Sequence, residues 1–239
     1  MSNNFPFLRL QADLAKLINK TPKGQRLLNE PELAKQLGVS RTTLREAIRT
    51  FEVQGLIRRK QGSGTYVTGR IKALDGGLEV LESLETIAKR QGLETSVSDL
   101  AIETIPVDEE MKSIFKVSIN SKLTRVRRII RAEGRPVAYL VDTLPESVLH
   151  IDDLPTKFNG SVLDFLLARG DALTSSRAGV SAVEAPAEVA KQLEIQRGNV
   201  LLHFQSQLFN EDGKMVDYSL SYFIPGSFHF HVVRRVGRG

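Results

Sequence analysis

The chain has 239 residues, of which 41% are hydrophobic, and a formal net charge of +5. This length suits two domains, and the hydrophobic content can bury a core, which excludes global disorder. Disulfides and thiolate metal sites are excluded because there is no cysteine. No apolar run reaches the roughly 18 residues of a membrane span and no signal peptide is recognised, so we expect a cytoplasmic protein without a membrane partner.

The charge is divided unevenly along the chain. Residues 1–70 carry 13 Lys and Arg against 5 Asp and Glu, which gives +8, whereas residues 71–239 carry 20 against 23, which gives −3. A basic first third attached to a mildly acidic remainder favours a nucleic-acid-binding head with a second function behind it. Chance variation of surface charge between domains is the alternative, and only a motif can decide between them.

The first part of the chain predicts three short helices. Leucine and isoleucine recur at helical spacing through residues 7–19, which predicts the first helix. Asn29 is placed to cap a second, Pro31–Leu37, which stops at Gly38. Ser40 caps a third almost at once. Two helices joined by a short turn that contains glycine form the helix-turn-helix pattern.

The third helix has two chemically different faces. Its apolar face, at spacings of three and four residues, predicts burial of Leu44, Ala47, Ile48 and Phe51. Its outer face carries long donors and hydroxyls that suit base edges and phosphates in a major groove. One arginine alone is more often a solvated helix position, but the capped turn and spacing favour DNA. The candidate contacts here are Ser40, Arg41, Thr42, Thr43, Arg45 and Arg49.

A basic hairpin is predicted after the third helix. Its strands, Leu56–Lys60 and Thr65–Thr68, flank a turn with two glycines, which are free to adopt positive φ. A hairpin beside a recognition helix is a wing, whose basic tip can reach phosphate or the adjacent minor groove. The candidate DNA contacts on the wing are Arg59, Gln61, Gly62, Ser63 and Gly64.

The stretch GQRLLNEPELAKQLGVSRTTLREAIRTFEVQGLIRRKQGSGTYV, residues 24–67, resembles the DNA-binding domain of the GntR family. Both glycine signals and the Val-Ser-Arg turn are in place. The resemblance implies that Arg41, Thr43 and Arg45 read DNA and that Gly62 lies at a wing tip in the minor groove. Pro31 stands where the family often has a DNA-contacting arginine, so the resemblance implies one missing contact and an operator unlike the commonest family sequence.

The rest of the chain predicts an antiparallel α+β domain. Residues 1–69 are assigned to the winged helix-turn-helix, 70–77 to a glycine-containing linker and 78–239 to this second domain. The predicted helices are 78–90, Asp108–Phe115, Val162–Ala168 and Ala187–Leu193. The predicted strands are Val97–Glu103, Lys122–Arg131, Pro136–Leu144, Val180–Val183, Val200–Phe209 and Met215–Ile224. Strands joined in hairpins, with helices between them, favour an antiparallel sheet.

Three stretches of this domain, VRRIIRAEGRPVAYLVDTLP, LDFLLARG and EDGKMVDYSLSYFIPGSFHF, are similar to the UTRA effector domain of the HutC-like branch of the GntR family. The resemblance implies a fold like chorismate lyase, a small effector bound in a cleft, and dimerisation through this domain. The expected protein is a homodimer on an inverted repeat in double-stranded DNA. We expect no cofactor, and the family's commoner mode is repression relieved by the effector.

Arg128 is the central candidate for binding the effector. Val126, Arg128 and Ile130 share one face of a predicted strand, so Arg128 is a cation between apolar neighbours, and a buried cation needs a partner. An anionic effector fills that role at the family's matching arginine, whereas the alternative is an internal ion pair with Asp142 or Asp217. The candidate effector residues are Thr95, Ser96, Arg128, Asp142, Asp217, Tyr218 and Tyr222.

Two departures from the family narrow the expected effector. Members that bind sugar phosphates carry a second arginine where Ile130 stands and a glutamate where Leu140 stands, which implies a less charged or more apolar organic acid here. Tyr218 and Tyr222 share one strand face and Asp217 the other, so all three face one pocket only if the strand bulges. Tyr222 matches a family tyrosine near the effector, although a strand tyrosine is more often a core residue.

Two other functions stay open on the sequence alone. One is an enzyme of chorismate lyase type fused to a DNA-binding head, but there is no nucleophile elbow, phosphate loop or zinc motif. His229 and His231 share a strand face but lack a third ligand, so no metal site is predicted. The other is a sequence-blind architectural DNA protein, which needs no second domain with a cleft. We predict a sequence-specific transcriptional repressor that responds to a small molecule, and not an enzyme.

Overall fold

The structure is a computed structural model that describes residues 5–60, 63–68 and 73–234. The chain divides into two compact units. The first consists of residues 1–73 with 224–227, and the second of 74–223 with 228–239. Within the described segments, no helix has the length and hydropathy that crossing a membrane requires.

The first unit contains the three predicted helices, which are α1 (Phe5–Lys20), α2 (Glu30–Leu37) and α3 (Arg41–Val53). The predicted caps are confirmed. The Asn29 side chain accepts a hydrogen bond from the backbone N–H of Glu32, and Ser40 accepts one from that of Thr43. Between them Gly38 adopts φ +66°, the left-handed conformation that ends α2 and turns the chain into α3.

The predicted wing follows as strands β1 (Ile57–Lys60) and β2 (Gly64–Val67). They pair antiparallel, with Ile57 opposite Val67 and Lys60 opposite Gly64. The segment before α2 also joins the wing, because the backbone N–H of Leu27 donates to the carbonyl of Thr65 at 2.8 Å. The wing is therefore tied to the start of the helix-turn-helix as well as to its end.

The apolar faces of the helices and the wing form one core in this unit. Leu14, Leu44 and Ile48 are almost wholly buried, one from α1 and two from α3. The four residues assigned from sequence to the inner face of α3 are all buried. Since that face is fixed inward by its contacts with α1 and α2, the opposite face of α3 is fixed outward.

The second unit is built on strands β3 (Leu74–Gly77), β4 (Thr95–Pro106), β5 (Lys122–Ala132), β6 (Arg135–Pro145), β7 (Leu173–Glu184), β8 (Val200–Asn210), β9 (Met215–Phe223) and β10 (Phe228–His231). Six of these form an antiparallel sheet in the order β4-β5-β6-β9-β8-β7. The predicted antiparallel sheet is confirmed, including the β5–β6 hairpin at Glu133-Gly134, where both residues have positive φ.

Helices cover both faces of this sheet. They are α4 (Leu84–Arg90), α5 (Glu109–Phe115), α6 (Val162–Arg169) and α7 (Ala187–Gln192), with a 3₁₀ turn at Ile151–Asp153. Helix α6 packs on the face that carries Val126 and Leu144. Helix α5 packs on the opposite face, against Leu123 and Tyr218. The sheet face under α4 and α6, which also carries Arg128, is called the inner face below.

Three predictions differ from the structure. The helix expected over 78–90 begins only at Leu84, where Ser83 caps it. Leu78 and Leu81, which gave the longer predicted helix its apolar face, are exposed. The strand expected at 180–183 extends over the whole of β7. Nearly every residue of β7 is exposed, so its sequence has no hydrophobic alternation to mark it.

The predicted linker, residues 70–77, is shorter in the structure because Leu74–Gly77 form β3. This strand pairs in parallel with β10, which the sequence did not predict either. Both strands are four residues long, too short for a recognisable period.

Candidate nucleic-acid interface and ligand cleft

The outer face of α3 is polar, basic and open to solvent. Arg41, Thr42, Arg45 and Arg49 are exposed, and Thr43 is half-buried. The hydroxyls of Ser40 and Thr43 lie 2.8 Å apart in the cap, so both residues hold the helix start in shape. This face can present guanidinium donors from successive turns to one groove of a DNA duplex.

Glu30, the first residue of α2, contacts two of the candidate arginines. Its Oε2 accepts a hydrogen bond from Nε of Arg45 at 2.6 Å, and its Oε1 lies 3.1 Å from Nη2 of Arg59. The Arg45 side chain remains 56% exposed, so a phosphate or base can compete for it.

Arg59, a predicted DNA contact on the wing, lies beside two carboxylates. Its side chain is only 27% exposed, and its Nε also lies 3.9 Å from Oε2 of Glu52 in α3. The DNA contact of Arg59 stays a prediction, because these ion pairs leave part of the side chain exposed. In this structure Arg59 ties the wing to α2 and α3 through two carboxylates, because β1 runs directly beside them.

The wing adds a basic residue that the sequence analysis missed. The side chain of Arg26 lies across Gly64, whose φ is +114°, and the Arg26 backbone forms a bridge with Tyr66. No feature of the sequence indicated that Arg26 belongs near the wing, because it lies before α2 and outside every predicted helix and strand. Ser63 is exposed and its hydroxyl lies 2.7 Å from that of Tyr66, whereas the candidates Gln61 and Gly62 fall outside the described residues.

The second unit contains a cleft of about 720 Å³ beside α4. It is lined by α4, the start of β4 and the loop before α6, through Glu85, Lys89, Leu93, Glu94, Thr95, Val97, Leu100, Phe158 and Asn159. This size falls within the range of small-molecule sites, and the mixture of apolar and polar side chains is typical of them.

A buried ionic cluster lies on the inner face next to the cleft. Arg128 is 6% exposed, donates from Nη1 to Oδ2 of Asp142, and places Nε 3.9 Å from Oε1 of Glu85. Burial acts to lower the pKa of Arg128, but Asp142 and Glu85 outweigh it and the pKa is raised, so the guanidinium stays charged. The internal ion pair that the sequence left open is formed, between Arg128 and Asp142, and an effector contact of Arg128 stays a prediction.

Two acids of this cluster are shifted towards their neutral forms. Burial raises the pKa of Glu85, although the charge of Arg128 opposes the shift. Burial, with the charge of Asp142 adding to it, raises the pKa of Asp217 well above its usual value, and the backbone N–H of Thr143 donates to Asp217 at 3.1 Å. A raised pKa favours the neutral form of a buried acid, which lowers the cost of burying Glu85 and Asp217 beside the pair of Arg128 and Asp142.

The seven predicted effector residues fall on two different faces of the sheet. Thr95 lines the cleft, and Arg128, Asp142 and Asp217 form the cluster on the inner face. Ser96 is the next residue of β4 after Thr95 and so points to the opposite face.

The two tyrosines lie on the face opposite Asp217, as the strand parity predicted. The hydroxyl of Tyr218 accepts a hydrogen bond from Nε2 of Gln205 at 2.7 Å, within the core under α5. Tyr222 contacts His203, with ring centroids 4.7 Å apart, and stacks near Tyr139. Alternation along β9 separates both from Asp217.

Of the residues that line the cleft, the sequence analysis named only Thr95, and it missed among others Glu85, on α4, and the loop around Asn159. Glu85 had no distinctive signal, since it stood in the middle of the predicted helix over 78–90, and the loop had none either. The next residue, Gly160, has φ +92°, and a Cβ there would lie 2.8 Å from Cδ of Arg128. A glycine is thus required for the loop to close over the arginine.

A winged helix-turn-helix with an exposed basic helix face, followed by an antiparallel α+β unit with a ligand-sized cleft, defines a ligand-responsive transcription regulator. Family models match both units: that of the bacterial regulatory proteins of the gntR family covers residues 9–67, and that of the UTRA domain covers residues 90–229. The chain belongs to the GntR family and carries a UTRA domain, and it is a DNA-binding transcription regulator.

Named relatives match over most of their length. The chain is 24% identical to the mannosyl-D-glycerate transport/metabolism system repressor MngR of Escherichia coli, covering 88% of this chain and 87% of that protein. It is 26% identical to the transcriptional repressor NagR of Bacillus subtilis, covering 82% and 79%. The crystal structure of PhnF from Mycobacterium smegmatis superposes with a TM-score of 0.64 at 21% identity, covering 95% of this chain and 100% of that one, which confirms the fold.

Proposed function

We propose that the protein is a cytoplasmic repressor that binds an inverted-repeat operator as a homodimer and is released from it by a small molecule in the cleft beside α4. The observation that carries the proposal is the outer face of α3, where Arg41, Arg45 and Arg49 are exposed over a fully buried apolar face. Two relatives, MngR and NagR, are named as repressors, which supports repression rather than activation. Membership of a family of regulators supports a role without catalysis.

The DNA contacts proposed are those of α3 and the wing tip. Arg41 and Arg45 reach base edges, and Arg49 reaches a phosphate. On the wing, Gln61, Gly62 and Ser63 contact the DNA backbone beside the minor groove. Ser40, Thr42 and Thr43 hold or extend the helix start. Each good bidentate arginine contact to guanine contributes about 1–3 kcal/mol of base discrimination.

The effector proposed for the cleft is an uncharged polar or cationic small molecule. The sequence argument for an organic acid depended on Arg128 needing a partner, and Asp142 supplies one. The cleft itself is lined by two acids, Glu85 and Glu94, against one base, Lys89. An anion there would meet two carboxyl groups and a single lysine, whereas hydroxyls or an amine would find acceptors.

Operator binding tests the proposal directly. After selection of an operator from genomic fragments, Arg45→Ala should weaken binding by about 1–3 kcal/mol and relax the preference at one base pair. Arg177→Ala, an exposed arginine on β7 in the second unit, is the matched control and should bind like the parent protein. Unchanged operator affinity of Arg45→Ala would show that α3 is not the recognition helix.

Specificity separates a regulator from an architectural DNA protein. A regulator should bind its operator at least about 10³ times more tightly than random DNA at the same salt concentration. A ratio near one would replace the repressor proposal with sequence-blind binding.

A further inference from the structure

Strands β3 and β10 bring together three potential metal ligands that are far apart in sequence. His229 lies opposite Asp75 in the parallel register, and His231 follows two residues later on the same strand face. The sequence analysis left these histidines without a third ligand because Asp75 is 154 residues away from His229. The pairing of β3 with β10 supplies it.

The donor atoms already have a spacing close to that of a coordination shell. Nδ1 of His229 lies 3.2 Å from Oδ1 of Asp75, and Nδ1 of His231 lies 3.0 Å from the same oxygen. All three ligand atoms lie within 4.8 Å of one another. Two ligands of a tetrahedral zinc ion with bonds of about 2.0–2.1 Å are about 3.3 Å apart, so both contacts of Asp75 already match that spacing.

The packing of the two strands holds the histidines outward. Phe228 and Phe230 alternate with the histidines along β10, so they point to the opposite face of the strand. Their rings stack with centroids 5.6 Å apart, and both rings contact Phe223. The His229 and His231 side chains are 72% and 45% exposed, so an ion can reach them from solvent. This arrangement offers the imidazoles on a fixed strand rather than on a loop.

A carboxylate stands next to the proposed ligands. Glu79 and His231 both lie close to Gly77. A Cβ placed on Gly77 would be 2.5 Å from Oε2 of Glu79 and 3.6 Å from Nε2 of His231. Glu79 is itself held by the backbone N–H of Val233. A carboxylate near the second ring nitrogen of a metal-bound histidine accepts its N–H and fixes the ring.

We propose that Asp75, His229 and His231 bind a divalent transition-metal ion, with zinc as the expected species and water completing the shell. Two imidazoles and one carboxylate favour zinc over magnesium or calcium, which prefer oxygen ligands only. The ion takes the place of the hydrogen bonds that Asp75 now accepts from the two rings.

The ion would clamp the first strand of the second unit to its last. An isolated two-stranded sheet is marginally stable, and here each strand has only four residues. Metal binding to the folded pair alone stabilises it by mass action. The segment so fixed is the one that follows directly, in sequence, from the DNA-binding unit, and the proposal does not depend on which effector the cleft binds.

The test uses the full chain without a histidine tag, stripped with a chelator and titrated with Co²⁺ at neutral pH. We expect visible absorption bands that saturate at one ion per chain and are abolished by one equivalent of Zn²⁺. Saturating Zn²⁺ should also raise the melting temperature by about 5 °C.

Variants decide whether these three residues are the ligands. His229→Gln combined with His231→Gln, and separately Asp75→Asn, should lose the bands and the thermal shift while melting like the parent protein in chelator. His150→Gln is the matched control, because His150 is also an exposed histidine near two carboxylates, those of Glu146 and Asp152. Stoichiometric uptake that survives the double substitution, or no uptake by the parent protein, would overturn the proposal.

Discussion

At the scale of single residues, the ionic cluster around Arg128 decides the stability of the second unit. The guanidinium is buried among Asp142, Glu85 and Asp217, so removing it leaves a buried carboxylate without its partner. Breaking such a pair from one side costs about 3–5 kcal/mol, far more than an exposed pair.

Arg128→Ala should therefore lower the free energy of unfolding by about 3–5 kcal/mol, measured by urea denaturation. Arg125→Ala on the same strand is the control, since Arg125 pairs with Glu103 at 3.8 Å while both side chains are about one third exposed. The control should cost about 1 kcal/mol or less. Equal effects of the two substitutions would mean that the Arg128 pair has no special structural role.

Asp217 predicts a pH dependence whose sign follows from its pKa. Burial raises the folded-state pKa of Asp217 well above the ordinary value of 3.8, so between these two values only the folded state holds the proton. The stabilisation that the Asp217 proton contributes is therefore fully present below the ordinary pKa of 3.8 and is lost as the pH rises through the folded-state pKa.

Asp217→Asn removes that proton and keeps an oxygen that can accept the hydrogen bond from Thr143. Relative to the parent protein, the variant should become progressively more stable as pH rises from acidic to neutral, as measured by urea unfolding over a pH series. Glu85 is present in both proteins, so its own raised pKa largely cancels in the difference. A difference that stays constant with pH would show that Asp217 is ionised in the folded protein.

At the scale of elements, the sequence predicted those parts whose signals are local. Asn29, Ser40 and Gly38 fix the ends of α2 and α3 through hydrogen bonds to their own neighbours, which a sequence reader can see. The β5–β6 hairpin likewise has its turn chemistry at Glu133-Gly134.

The remaining elements depend on distant contacts and could not be predicted in the same way. The short β3 exists only because β10 returns beside it, and β7 is added at a sheet edge with almost no buried face. The same reason explains the site predictions. Strand parity correctly separated Asp217 from the tyrosines, and the sequence left open the ion pair of Arg128 with Asp142, but the pairing of Arg59 with Glu30 required the fold.

Gly64 shows how one element, the wing, depends on backbone conformation and packing together. Gly64→Ala introduces a Cβ at φ +114° and 2.9 Å from Cζ of Arg26. Gly24→Ala is the control, because Gly24 has φ +85° but nothing within 4 Å of the added Cβ. Strain alone costs about 1–2 kcal/mol, so the control should lose about that much stability.

Gly64→Ala should lose more stability than Gly24→Ala in thermal unfolding, because Arg26 has to move as well. It should also weaken operator binding more than the control does, since the wing carries the proposed backbone contacts. Equal losses in the two variants would mean that the packing of Arg26 on Gly64 does not shape the wing.

At the scale of the whole molecule, the DNA-binding part of the chain is basic and the effector-binding part is mildly acidic. Residues 1–70 carry +8 and residues 71–239 carry −3, so DNA binding should fall much more steeply with salt than effector binding in the cleft. A regulator of this kind needs the two binding events to be coupled, and coupling is reciprocal: an effector that weakens operator binding must itself bind less tightly when operator is present.

That reciprocity gives the last prediction. A compound found by its effect on the melting temperature should bind 5- to 150-fold more weakly, by calorimetry, in the presence of saturating operator, which corresponds to a coupling of about 1–3 kcal/mol. Asn159→Ala, at the cleft wall, should weaken the compound's binding while leaving the operator affinity of the effector-free protein unchanged. Because a ligand with equal affinity for both states shifts nothing, equal binding with and without operator would show that the compound is not the inducer.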